Sequence, residues 1–177
     1  KFFRSCSDVK LEDLGHMVGL VGRNGAGKTT ILRAIEWMAQ TALLTEGFWL
    51  AFSAADTVDD RKTAPGIAVV LTSDDFEYRY MIGNSPQTFL GHTDRSLEKL
   101  EVRSHGSDSW ELLLSRGAQS VDLADRVQQI EISFSTAMIP AVTSLLPEDD
   151  TLQEHLRRVM DVLRGVRYYL GHGVIDP

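Results

Sequence analysis

The sequence has little of what stabilises secreted proteins or anchors proteins in membranes. Its 177 residues include one cysteine, Cys6, so no disulfide can form within the chain and a reducing compartment is expected. No apolar run approaches the length of a membrane span, and no signal-type leader opens the sequence. We therefore expect a soluble, cytoplasmic protein of one domain, or of one domain with a small appended lobe.

Positive charge is also in deficit. The chain has 18 Lys and Arg against 25 Asp and Glu, which gives a net charge of −7. Binding nucleic acid over a whole surface needs many cations facing phosphates, so the composition argues against it and leaves only a local basic patch open. The candidates for such a patch, or for a solvated helix face, are Arg157, Arg158, Arg164 and Arg167.

Histidines are present without the spacing of metal ligands, so they predict no metal site. The five are His16, His92, His105, His155 and His172.

One stretch, GRNGAGKTT at residues 22–30, carries the chemistry. It matches G-x-x-x-x-G-K-[ST] and lies between an apolar run at 16–21, predicted as a buried strand, and an amphipathic helix that begins at Lys28. Glycines let the backbone approach phosphate oxygens, and successive amides at a helix N-terminus attract anions. The stretch therefore predicts a phosphate site, and since no N-K-x-D sequence for guanine occurs, ATP is the expected nucleotide.

Each residue of this loop has a predicted contact. Lys28 reaches the β and γ phosphates and is the candidate catalytic residue, and Thr29 offers a hydroxyl to Mg²⁺. Arg23 fits a contact to a phosphate or to a facing subunit, and it fits a solvated loop cation equally well. Asn24 also suits a plain turn residue. The predicted nucleotide-binding residues of the loop are Gly22, Arg23, Asn24, Gly25, Ala26, Gly27, Lys28, Thr29 and Thr30.

The remaining elements follow from periodicity. Residues 2–14 suggest two short strands or a bent hairpin, and 48–65 is ambiguous. Alternating side chains over 67–82 predict an antiparallel hairpin, and three further short strands complete a β-meander with one solvated face. A packed helix follows around SFSTAMIPAVTSLL, and a last helix spans 151–167, with Thr151 and Glu154 as a capping box.

VGRNGAGKTTILRAI resembles the phosphate loop of ABC-type ATPases. Together with FFRSCSDVKLEDL before it, it is similar to the SMC-like and OLD-like branch, whose members open with an F-R-S strand. The resemblance implies that Arg4 lies near the nucleotide, although Arg4 also suits a surface strand. It implies an α/β fold: a P-loop NTPase core (1–50), an antiparallel β-meander lobe (51–125) and C-terminal helices (126–177), as in an ABC/SMC head.

Two elements that such a head needs are missing from the pattern. An apolar strand ending in Asp-Glu would hold Mg²⁺ and polarise water, and a Ser-Gly-Gly signature would complete the site in a second subunit. Asp74 and Asp75 fit a hairpin turn better, and Gln87 is no more than a guess for a lid residue. The second acidic cluster, predicted as a helix-entry loop, is Glu148, Asp149 and Asp150. We therefore expect the N-terminal part of a longer ATPase head.

The resemblance implies an ATPase whose heads form a homodimer around ATP and Mg²⁺, acting in DNA repair or anti-phage defence with a nuclease or another effector as partner. The absent elements favour an alternative, a nucleotide-gated sensor or scaffold that does not hydrolyse ATP. The sequence leaves open which of the two applies. A small kinase is disfavoured because no arginine-rich lid segment is present.

Overall fold

The computed structural model describes residues 9–12, 18–46, 67–73, 75–83, 98–116, 120–123, 128–133 and 136–167. Within these ranges, six strands form one antiparallel sheet and three helices pack on it. The strands are β1 (Ile67–Thr72), β2 (Phe76–Ile82), β3 (Glu98–Ser104), β4 (Glu111–Arg116), β5 (Ser120–Leu123) and β6 (Gln128–Glu131). The helices are α1 (Lys28–Ala42), α2 (Met138–Thr143) and α3 (Thr151–Gly165).

The sheet is a meander in which each strand pairs with the next one along the chain. The predicted hairpin is confirmed: β1 and β2 pair from Ile67↔Ile82 to Thr72↔Glu77, and Ser73 N donates to the Phe76 carbonyl at 2.9 Å. The three predicted strands that follow are confirmed as β3, β4 and β5. β6 was not predicted and lies inside the region expected to be helical. Its four residues, QQIE, show no apolar alternation, and pairing with β5 holds them in a strand.

One face of the sheet packs on the helices and forms the core. Alternate side chains of β2, including Tyr78, Tyr80 and Ile82, are fully buried there, together with Leu100 of β3 and Leu114 of β4. These residues belong to one cluster with buried residues of all three helices. The antiparallel sheet therefore has a covered face, as its alternation predicts.

The opposite face of the sheet is charged. Arg103 pairs with Glu77 and Arg79 with Glu101, each across neighbouring strands. Both guanidinium groups also lie 4.5 Å from the ring centre of Trp110. The cations on this face are thus engaged by carboxylates and by one aromatic ring, and their side chains are half-buried, so the face is less solvated than the alternation predicts.

Helix α1 is buried only towards its C-terminal end. Its buried residues are Met38, Ala39, Thr41 and Ala42, and Leu32 in its first half is 41% exposed. The predicted start at Lys28 is confirmed, and the helix ends at Ala42. The N-terminal end of α1 therefore projects away from the core.

The C-terminal helices differ from the prediction in detail. α2 is short, Met138–Thr143, with Pro140 in its first turn, where a missing N–H costs nothing. The N-cap of α3 is Asp150, whose side chain accepts from Leu152 N at 2.9 Å, so the predicted capping box at Thr151 is wrong by one residue. Both residue types can cap, and the sequence pattern alone did not separate them.

Two N-terminal predictions are not supported. Residues 18–21 are in no strand, and Val21 is 97% exposed, so the described part of the predicted buried strand at 16–21 is exposed coil. Residues 9–12 are likewise exposed and outside any strand. A strand needs a neighbour for its backbone, and none of the described strands pairs with these segments. Residues 2–8 and 13–14 and the region 48–65 lie outside the described residues.

Candidate phosphate-binding site

The loop before α1 has the backbone of an anion site. Gly25 and Gly27 have φ of 83° and 87°, in the left-handed region that residues with a Cβ rarely adopt. A turn inside the loop is closed by Ala26 N donating to the Arg23 carbonyl at 3.2 Å. The two glycines thereby allow the chain to curl and then enter α1 within a few residues.

The N-terminus of α1 carries no internal counter-charge. Gly27 is the N-cap, no side chain caps the helix, and no acidic residue stands in the first turn. The first amides of an α-helix have no intrahelical carbonyl to bind, and the helix dipole is positive at this end. The loop and the first turn together therefore favour an anion over a neutral ligand.

The side chain of Lys28 is held by two backbone carbonyls of the loop. Its Nζ donates to the carbonyls of Gly22 and Arg23, both at 2.7 Å. An ammonium group has three N–H donors, so these bonds use two of them. The side chain is therefore orientated before any ligand arrives and retains a donor for a phosphate oxygen.

A cleft of about 470 Å³ lies at this position and is lined by seven consecutive residues. They are Asn24, Gly25, Ala26, Gly27, Lys28, Thr29 and Thr30. The structure thus brings together most of the predicted loop residues, with Gly22 and Arg23 contacting Lys28 behind them. The exposed Thr29 hydroxyl suits Mg²⁺, which takes oxygen ligands, so these residues fit a magnesium-bound polyphosphate. Arg4 and Gln87 lie outside the described residues.

The described residues of the two acidic clusters, Asp75 and Glu148 to Asp150, are not among the residues that line this cleft. Asp75 lies in the turn between β1 and β2, and its carbonyl accepts from His105 N at 3.1 Å; Asp74 is outside the described residues. Asp150 caps α3, and Glu148 lies 3.7 Å from Arg157. The interpretations as a hairpin turn and as a helix-entry loop are therefore supported.

The arginines of the C-terminal helix do not form a bare basic patch. Arg158 pairs with Glu154 at 2.5 Å, Arg164 with Asp161 at 3.2 Å, and Arg157 with Glu148. Arg167 donates to the carbonyl of Val166. Intrahelical pairs of this kind are typical of a solvated face, the second of the two interpretations given above.

A buried polar cluster between the sheet and the helices was not predicted from the sequence. Glu98 and Arg116, both with fully buried side chains, form an ion pair at 2.7 Å. Glu98 also accepts from Tyr80 Oη at 2.7 Å and from Met138 N at 2.9 Å. Burial raises the pKa of Glu98, while Arg116 and the hydrogen bonds oppose the rise. The alternation of side chains along β3 and β4 could have indicated this cluster, since it places both charges at inward-facing positions of neighbouring strands.

The comparison with protein families identifies the class of ATPase-type domain. Residues 17–132 match the family described as "AAA domain, putative AbiEii toxin, Type IV TA system". The chain belongs to this family of AAA, P-loop ATPase-type domains, which supports nucleotide binding and the use of Mg²⁺ in general. The searches of curated proteins and of solved structures gave no match.

In the part of the chain that the structure describes, every helix is too short or too polar to cross a bilayer.

Proposed function

We propose that this chain is the ATP-holding part of an ABC/SMC-like ATPase head. The observation that carries the proposal is the pre-orientated Lys28, anchored to two loop carbonyls above an uncapped helix N-terminus. The loop amides and Lys28 would hold the phosphates, Thr29 would provide an oxygen ligand to Mg²⁺, and Arg4 would contact the nucleotide. The bound nucleotide supplies the γ-phosphate whose presence or loss distinguishes two states of the head.

A second function is favoured by the composition of the cleft. Among the residues that the structure describes, the seven that line it come from the loop and the first turn of α1, and none is a carboxylate. A water molecule attacking the γ-phosphate needs a residue to orientate or polarise it. A chain that supplies only the phosphate cradle would act as a nucleotide-gated sensor or scaffold and would leave hydrolysis to another segment or subunit.

The proposed biological setting follows from the family description and the resemblance. Head dimerisation around ATP would convert γ-phosphate contacts into a rigid-body change, one of the common forms of protein switching. An anti-phage or toxin–antitoxin role with a nuclease or other effector fits the family description, and DNA repair fits the SMC-like resemblance. A homodimer formed through the nucleotide site is the assembly that we propose.

Turnover separates the two functions. Phosphate release from MgATP should be measured for the wild type, Lys28→Ala and Lys10→Ala; Lys10 is an exposed lysine paired with Glu12. An ATPase requires release that Lys28→Ala abolishes and Lys10→Ala preserves. Binding of MgATP without release above the Lys28→Ala background would favour the sensor.

The assembly is tested separately by sedimentation. A head that dimerises around ATP should sediment as a dimer with a non-hydrolysable ATP analogue and Mg²⁺, and as a monomer without nucleotide. An unchanged sedimentation coefficient at saturating analogue would contradict the proposed dimer while leaving nucleotide binding intact.

A further inference from the structure

The C-terminal end of α1 is bound to the segment that precedes α2. Ala137 N donates to the carbonyl of Leu44 at 2.8 Å, and Thr136 Oγ1 donates to the carbonyl of Thr45 at 2.9 Å. These two bonds join residues about 90 positions apart in the sequence. The two residues that follow the C-cap of α1, Leu44 and Thr45, are thus bound to residues 136–137, beyond the end of the helix whose first turn lines the phosphate cleft.

The same short segment is bound to the buried ion pair of the sheet. Arg116 Nη1 donates to the carbonyl of Thr136 at 2.6 Å, and Glu98 Oε2 accepts from Met138 N at 2.9 Å. Arg116 also donates to the carbonyl of Ser133 at 3.2 Å. Residues 136–138 therefore bind the segment that directly follows α1 on one side and the central strands β3 and β4 on the other.

Stability alone does not account for a fully buried ion pair at this point. Removing two charges from water is costly, and apolar residues of similar volume often serve a core equally well. An ion pair with additional hydrogen bonds does impose one geometry, since each partner must be satisfied. The cluster is thus suited to fixing where residues 136–138 sit on the sheet.

We propose that residues 136–138, positioned by Glu98 and Arg116, relay occupation of the 22–30 loop from α1 to the central strands of the sheet. The inference rests on the proposed nucleotide binding. Helix α1 has 15 residues and spans about 22 Å at 1.5 Å per residue, and Leu44 and Thr45 follow within three residues of its end. The helix and these two residues connect the cleft to residues 136–138, which we call the joint. Arg116 and Glu98 are positioning residues, and they do not touch the ligand.

Two backbone amides of residues 136–138 can be used to measure the relay. The amides of Ala137 and Met138 are donors in the two contacts, one to α1 and one to Glu98. Their hydrogen exchange, followed by NMR with and without MgATP, reports on the relay directly. We expect MgATP to slow both amides about fivefold or more, the low end of usual coupling between sites, and to leave amides of the β5–β6 hairpin unchanged.

A pair of threonine variants separates a relay from plain structural support. Thr136→Val removes the bond to Thr45 and should shrink the MgATP-dependent slowing of Ala137 and Met138, with the affinity for MgATP within about twofold of wild type. Thr143→Val removes a bond to Ile139 within α2 and should leave the slowing unchanged. A structural role alone would speed exchange equally with and without nucleotide.

The outcomes are distinguishable. If calorimetry shows that MgATP does not bind, both the proposed function and the relay are wrong. If MgATP binds and the two amides exchange at the same rate as in the free protein, the relay alone is wrong. Equal slowing in wild type and Thr136→Val would also overturn it, because the bond to α1 would then carry nothing.

Discussion

Replacing Arg116 by methionine should destabilise the fold in a way that depends on pH. The substitution removes the ion pair to Glu98 and two hydrogen bonds to the carbonyls of Thr136 and Ser133. It leaves Glu98 buried with acceptor capacity that only Tyr80 and Met138 N satisfy. Breaking a buried pair in this way costs about 3–5 kcal/mol near neutral pH.

The pH dependence follows from the carboxyl group. The pKa of Glu98 is already raised by burial, and loss of Arg116 raises it further. Below the folded-state pKa, Glu98 of the folded variant binds a proton. In the unfolded chain Glu98 binds that proton only near the ordinary pKa of glutamate, about 4.3. The variant therefore regains stability as the pH falls towards that value and loses it as the pH rises through the folded pKa, by up to about 1.4 kcal/mol per pH unit.

Urea unfolding at pH 5, 6.5 and 8, followed by circular dichroism, measures this cost. A loss of 3–5 kcal/mol corresponds to roughly 6–20 °C in melting temperature for a chain of this size. Arg164→Met is the matched control, because that arginine forms an exposed intrahelical pair with Asp161 and should cost less than about 1 kcal/mol. A cost for Arg116→Met that is below 1 kcal/mol, or equal at pH 5 and pH 8, would refute the reasoning.

Three further predictions concern single positions. Burial lowers the pKa of His155, and the charge of Arg158 lowers it further, so the free energy of unfolding should fall as the pH drops below about 6.5. His155→Gln should abolish that loss in thermal melts, and an unchanged pH profile in the variant would count against this explanation. Asp150→Ala should cost about 0.5–2 kcal/mol in urea unfolding through the lost N-cap, whereas Asp149→Ala should be neutral; equal costs would argue against the cap. Gly25→Ala should weaken MgATP binding about 5–30-fold in calorimetry, because an alanine in the left-handed region costs about 1–2 kcal/mol. Gly19→Ala should bind MgATP like the wild type, since a Cβ at that position meets no neighbouring atom. Equal affinities of the two variants would contradict the loop conformation.

The sequence predicted the loop and most of the meander because their signals are local. Period-two alternation in β2 reports directly on which side chains enter the core, and glycine spacing reports on backbone conformation at Gly25 and Gly27. β6 escaped because four mostly polar residues carry no such pattern, and a neighbouring strand decides their structure.

Non-local contacts set what the sequence could not predict. The run at 16–21 reads as a buried strand, yet burial requires a partner surface, and Val21 meets none among the described residues. The Glu98–Arg116 pair joins residues on neighbouring strands, and its link to α1 passes through Thr136, far away in the sequence. Periodicity reports which face a residue occupies and is silent on which residue it meets there.

Calorimetric titration of MgATP into the wild type and Lys28→Ala tests the central claim, that residues 22–30 hold the phosphates of a nucleotide. We expect one site in the wild type and binding about 10–150-fold weaker in Lys28→Ala, the effect of losing a hydrogen bond to a charged group worth about 1.5–3 kcal/mol. Lys10→Ala should bind like the wild type. Undiminished affinity in Lys28→Ala, or no binding by the wild type, would contradict the account.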